Sequence, residues 1–208
     1  MRRALAVVAL LALASAASAS QFTVGNGASV DLGTGALGLG CANLNVAGTL
    51  SAGTVGFTGG RNVVIDPTGV VNGNSATLQL AGDWDNSGSF NAGTSTVQIA
   101  DGCGLLSGVV AGSTTFAGLT ITSASARQVS FEAGSTTTVT GNLSLAGQSG
   151  ALLKIRSTLG GSAGFLFCCC PPPTRSTWCS STPPCSRPSA ISASVLFRSP
   201  SSRWRTRG

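Results

Sequence analysis

The chain has no histidine and no tyrosine, one methionine, and only 9% charged residues among its 208. Without histidine, Ser-His-Asp triads and His-ligated zinc are excluded. Acidic residues number six, all lying between Asp31 and Glu132. Basic partners for them are scarce between Ser20 and Gly164: Arg61, Arg127, Lys154 and Arg156. That scarcity disfavours the carboxylate-plus-base constellations of pectin-cleaving enzymes. No apolar run is long enough to span a bilayer, because the longest, Ala4–Ala14, falls short of the ~20 residues required. Nor does any stretch after that run keep the 3.6-residue apolar spacing of a packed helix.

What is present divides the chain into three unlike segments. "MRRALAVVALLALASAASAS" carries two arginines, the short apolar run and then small residues, in the order of a secretory signal peptide. Ala17-Ser18-Ala19 fits the small-x-small cleavage rule, so residues 1–19 are expected to be a leader and the mature chain to start near Ser20. Residues 20–164 are rich in Gly, Thr, Ser, Asn, Val, Leu and Ala. From 165 onward there is no acidic residue, and seven of the eight prolines and five of the seven cysteines fall there. The formal charge of +6 therefore comes from the two ends, which gives no basis for a nucleic-acid partner.

A loose repeat organises the middle segment. Turns of Ala/Asn-Gly-Ser/Thr followed by alternating β-formers recur, with Gly48, Gly69, Gly88, Gly112 and Gly134 separated by 21, 19, 24 and 22 residues. In "TFAGLTITS" Leu119 and Ile121 alternate with Thr120 and Thr122, which puts the apolar side chains on one face of a strand. Val, Ile, Thr and Phe favour extended backbone, and Gly and Asn supply corners with positive φ. A repeat near twenty residues, in units of one direction, predicts an all-β fold: a parallel right-handed β-helix of six or seven coils. With ~4.8 Å between coils it would stand ~30 Å tall. The alternative is a β-sandwich, for which Asn26-Gly27 and Asn72-Gly73 would serve as hairpin turns.

"GDWDNSGSFNAGTSTVQI" and "GSTTFAGLTITSASARQVSFEAGSTTTVTGNLSLAGQSGALLKIRST" resemble the repeats of bacterial secreted and cell-surface β-helix proteins. These are the adhesin-like group in the style of filamentous haemagglutinins and autotransporter passengers. The resemblance covers residues 43–158. It implies an exposed ladder surface for binding, cohesion or display, with polysaccharide, extracellular matrix or cell-surface components as partners. It also implies a secreted or cell-surface location, without a transmembrane segment once the leader is removed. It carries over no active-site residue.

Asp83-Trp84-Asp85 is the strongest local acidic pair. On a strand both carboxylates face one side and Trp84 the other. The pair could serve as acid and base of a polysaccharide lyase or hydrolase, with Trp84 stacking a sugar, or as ligands to Ca²⁺, the one cofactor it suits. The plainer reading is two solvated aspartates flanking a core tryptophan, with no catalysis and no cofactor. Thr136, Thr138 and Thr140 likewise make either a hydroxyl-bearing binding face or an ordinary exposed strand. Cys41 and Cys103 are 62 residues apart, about three coils. Stacked coils would hold them ~14 Å apart, beyond disulfide reach, so two buried, unpaired thiols are expected.

"GFLFCCCPPPTRSTWC" matches no metal-ligand spacing, since adjacent cysteines cannot easily present three thiolates to one ion. Residues 165–208 cannot pack a core and are expected to be a disordered tail. Glycine and acids vanish together there, as a reading-frame change near Gly164 to Cys168 would produce. Shifted Ala and Leu codons in GC-rich DNA give Pro, Arg and Cys.

Overall fold

The computed structural model describes residues 20–168, 189–191 and 195–197. The expected leader, residues 1–19, therefore lies outside the described residues, as does most of the expected disordered tail. Every regular element is a strand, and the strands fall into coils of three. The first coil is β1 (Gln21–Val24), β2 (Ser29–Asp31) and β3 (Ala36–Gly38). The second is β4 (Asn43–Val46), β5 (Thr49–Ser51) and β6 (Gly56–Gly60). Coil 3 holds β7 (Val63–Ile65), β8 (Val70–Asn72) and β9 (Thr77–Leu80), and coil 4 holds β10 (Trp84–Asn86), β11 (Ser89–Asn91) and β12 (Thr96–Ile99). Coil 5 has β13 (Ser107–Ala111), β14 (Thr114–Phe116) and β15 (Gly118–Ser123). Coil 6 has β16 (Gln128–Phe131), β17 (Thr136–Val139) and β18 (Leu143–Gly147). A further turn begins with β19 (Leu153–Ser157) and β20 (Gly164–Cys168).

Apart from β11 and β14, equivalent strands of successive coils pair in parallel, which makes the molecule a β-solenoid of about six turns. The first face is the ladder β1-β4-β7-β10-β13-β16-β19, and the third is β3-β6-β9-β12-β15-β18. The second face is in two parts, β2-β5-β8-β11 and β14-β17-β20. Every ladder from β1 to β20 is parallel, so the sandwich alternative is excluded: hairpins would have paired neighbours in sequence antiparallel. Asn26-Gly27 and Asn72-Gly73 sit at coil corners instead. Two short strands, β21 (Ser189–Ile191) and β22 (Val195–Phe197), pair antiparallel with β20 and β19. No helix among the described residues is long and apolar enough to cross a membrane.

Alternation along each strand sends one residue in two to a single narrow core. On the first face Leu44, Val63, Trp84, Val110 and Phe131 stack in register. On the third, Phe57, Leu78, Val97 and Leu119 do the same. All nine are essentially inaccessible to solvent. Burying such a side chain contributes roughly 1.5–3 kcal/mol, and each is covered from both sides by its neighbours in the stack. At the break in the second face, Trp84 meets Phe90 and Phe116 edge-to-face, and the three ring centroids lie 4.9–5.8 Å apart.

The corners explain the glycine repeat. Gly48, Gly69, Gly88 and Gly112 all occupy the corner between the first and second faces. A Cβ on any of them would run into a carbonyl oxygen of the preceding coil: that of Ala28, Val46, Asp66 or Asn86. The coils approach too closely there for a side chain. Gly134, the fifth marker, meets no such crowding but has φ +83°.

The corner between the third face and the next first-face strand varies most. It is made by residues 39–42, 61–62, 81–83, 100–106, 124–127 and 148–152. Cys41 and Cys103 are joined here by a disulfide, with Cα atoms 5.5 Å apart. This overturns the expectation of two buried, unpaired thiols. The ~14 Å estimate holds for residues on the stacked strands, but both cysteines lie on turns that leave the stack. Leu39–Ala42 closes through the Ala42 N–H donating to the Leu39 carbonyl (2.9 Å), with Gly40 and Cys41 both at positive φ. Gly102–Leu105 closes through the Leu105 N–H donating to the Gly102 carbonyl (2.9 Å), with Cys103 and Gly104 both at positive φ. Two consecutive positive-φ residues are the signature of a type I′ turn. The second turn lies on coil 3, where Gly102 faces Ala81 and Leu105 faces Gly82. The short corners 61–62 and 81–83 leave the space through which the two turns meet.

Candidate functional site

Asp83 and Asp85 lie on the outer side of the first face, as period-two alternation requires, and both are half-buried. Trp84 points inward, is fully buried and packs on Phe90 and Phe116, so it offers no ring face to a sugar. Asp83 Oδ1 accepts the backbone N–H of Val109 at 2.8 Å. Its own N–H donates to Asn62 Oδ1 at 2.8 Å. Asn62 and Asp83 thus link the first-face strands of coils 3, 4 and 5 where insertions disturb the ladder. Asp85 makes no side-chain hydrogen bond among the described residues. It stands beside Val64 and Ala111 in the neighbouring strands.

Most other carboxylates also hold backbone. Asp101 Oδ2 accepts the Ala124 N–H (2.6 Å), Glu132 Oε2 the Gly112 N–H (2.8 Å) and Asp31 Oδ1 the Gly33 N–H (2.9 Å). A carboxylate in each role satisfies a donor that irregular coil spacing leaves without a ladder partner. No group of three or more Cys, Asp or Glu gathers among the described residues. A calcium ion at Asp83 and Asp85 would therefore draw most of its six to eight oxygens from elsewhere.

Sequence reasoning missed Arg127. It is wholly inaccessible to solvent, and its guanidinium lies behind the insertion loop 100–106. Nη1 donates to the Ala100 carbonyl at 2.9 Å, and Nη2 donates to the carbonyls of Ala81 and, at 3.2 Å, Ser107. Its backbone N–H donates to Ser123 Oγ at 2.9 Å. Gly108 leaves room for the guanidinium, since a Cβ there would sit 3.0 Å from Nη2. Burial lowers the Arg127 pKa from its ordinary value, and the nearby carboxylates of Asp101 and Asp83 partly offset that. One charged fork thus ties the corner at Ala81 to both ends of the long loop, at Ala100 and Ser107. The sequence carried no local signal for this role. Gly40-Cys41 and Cys103-Gly104, in contrast, did mark both cysteines as turn residues.

A shallow depression of about 380 Å³ lies beside this corner, lined by Asp101, Thr122, Ser123, Ala146 and Gln148 among others. Neither Asp83 nor Asp85 lines it. Ser123 Oγ and one Asp101 oxygen are already engaged by backbone N–H groups. Of the threonine run, Thr136 and Thr138 face outward on β17, and Thr140 donates its hydroxyl to the Phe116 carbonyl (3.3 Å). Thr137 between them is fully buried. In the next strand Thr136 and Thr138 are followed by Phe165 and Phe167, so no regular hydroxyl array extends along that face.

Fold and site together define a parallel β-solenoid with one corner reinforced by a disulfide and a buried arginine. No family model, curated protein or solved structure matches the chain.

Proposed function

We propose that this chain is a secreted or surface-exposed structural or adhesive module, of the bacterial adhesin-like kind, that binds through its ladder faces without catalysis. The observation that carries this reading is the use of the acidic pair. Asp83 is engaged in holding Val109, and Asp85 stands on a strand face outside the depression beside the Asp101 corner. A glycosidase needs two carboxylates flanking a bound sugar at a fixed separation. The leader-like start and the Cys41–Cys103 disulfide support exposure to an oxidising compartment. Partners of the expected class are polysaccharides, extracellular matrix or cell-surface components.

The competing reading is a polysaccharide-active β-helix enzyme using Asp83 and Asp85. Sedimentation of the full chain with insoluble polysaccharides, together with a reducing-sugar assay on the same mixtures, separates the two. The expected result is co-sedimentation without sugar release, unchanged in Asp85→Asn. Sugar release that falls by about two orders of magnitude or more in Asp85→Asn would replace the adhesive reading with the enzymatic one.

A further inference from the structure

We infer that the Cys41–Cys103 disulfide is a redox-controlled stop that limits how far the solenoid unzips from its N-terminal end. A solenoid coil touches only its neighbours, so opening starts at an end and proceeds coil by coil. Coil 1 is a thinly covered end. Its inward residues Phe22, Val30, Leu32 and Leu37 are only partly buried, whereas Leu44, Leu50 and Phe57 of coil 2 are fully so. Coil 1 also lies outside the loop that the disulfide closes, because β1–β3 precede Cys41. Peeling it away leaves the bridge untouched.

Coils 2 to 4 are different. Their strands, β4 to β12, lie wholly between Cys41 and Cys103. With the bridge closed, a peeled coil 2 remains tethered at Cys41 to the corner of coil 4 and gains much less chain entropy. Opening therefore halts after coil 1. With the bridge cut, the same peeling frees the chain and continues into coils 2 and 3. The edge left behind presents unpaired N–H and C=O groups to any strand that can add to it. The state of the bridge thus selects which coil forms the N-terminal edge.

The bridge is placed for exchange. Cys41 is exposed and Cys103 half-buried, each at the tip of a turn outside the stack. One thiolate of a dithiol reductant attacks a bridge sulfur, the S–S bond breaks, and the other cysteine leaves as thiolate. The reagent's second thiolate then displaces the mixed disulfide. Two electrons and two protons pass to the cysteines, and the dithiol becomes a disulfide.

Peptide-resolved hydrogen exchange on the full chain tests this in three forms: oxidised, reduced with dithiothreitol, and the double variant Cys41→Ser/Cys103→Ser. Reduction and the double variant should each speed exchange in β4–β9 by at least ~10-fold. Exchange in β1–β3 and in β13–β18 should stay within about twofold. Unchanged β4–β9, or acceleration spread equally through β13–β18, would overturn the inference. So would an effect of reduction absent from a folded double variant, because cysteines after residue 164 would then be responsible. If that variant does not fold, the native chain decides. It is reduced after folding, and iodoacetamide mapping establishes that Cys41 and Cys103 are the thiols released.

Discussion

Arg127 is the residue on which the irregular corner depends. Three carbonyls from three coils accept from one guanidinium, and no water could replace that fork in a corner closed to solvent. Arg127→Met should cost about 3–5 kcal/mol, lowering Tm by roughly 6–20 °C for a domain of this size. Arg127→Lys should recover only a minor part, because an ammonium cannot span carbonyls held that far apart. Thermal melts of the two variants check this, and a full rescue by lysine would show that charge alone matters. Glycines separate in the same way. Gly88→Ala drives a methyl group into the Asp66 carbonyl and should cost about 1–3 kcal/mol. Gly38→Ala meets open space at an ordinary φ and should be neutral or stabilising by up to about 1 kcal/mol. The paired melts test whether the glycine repeat reflects close coil contact or mere flexibility.

Among the elements, the corners rather than the strands give this solenoid its individuality. Strands repeat with little change, but the third corner grows from 61–62 in coil 2 to 100–106 in coil 4. The long loop turns back along the stack and meets the turn at 39–42. Closing a loop of 62 residues removes entropy from the unfolded chain worth about 4 kcal/mol. Part of this is offset by holding Cys41 and Cys103 at positive φ, at about 1–2 kcal/mol each. The double serine variant keeps that backbone cost and should lose about 2–4 kcal/mol in urea titrations. Cys41→Gly/Cys103→Gly should lose less, because glycine relieves the backbone cost. Equal losses in the two double variants would mean that the turns store no such strain.

For the whole molecule, stability is a sum of coil and coil–coil terms, because strand pairing among the described residues joins only successive coils, with the bridge and Arg127 reaching further. Urea unfolding should then be less steep than for a two-state domain of equal size, and should steepen when the disulfide is closed. Circular dichroism on the oxidised and reduced chain measures both slopes. A single steep transition in both states would show that the coils unfold as one unit.

The sequence by itself determined the all-β class, the approach to one coil per twenty residues and the identity of the corner glycines. These follow from local rules: alternation of apolar residues along a strand, and turn chemistry repeated at each corner. It also placed Asp83 and Asp85 together on one outer side, with Trp84 opposite. Only the tertiary structure decided that Asp83 holds a neighbouring coil, that Trp84 lies in an aromatic core, and that Cys41 meets Cys103. Each of these depends on which residues distant in sequence face one another. That is set by how corner insertions fold back against the stack, because the strands keep their register through corners of very different length. Arg127 shows the limit most plainly: its three acceptors are backbone carbonyls, which every residue possesses, so no side-chain pattern in the sequence could mark them.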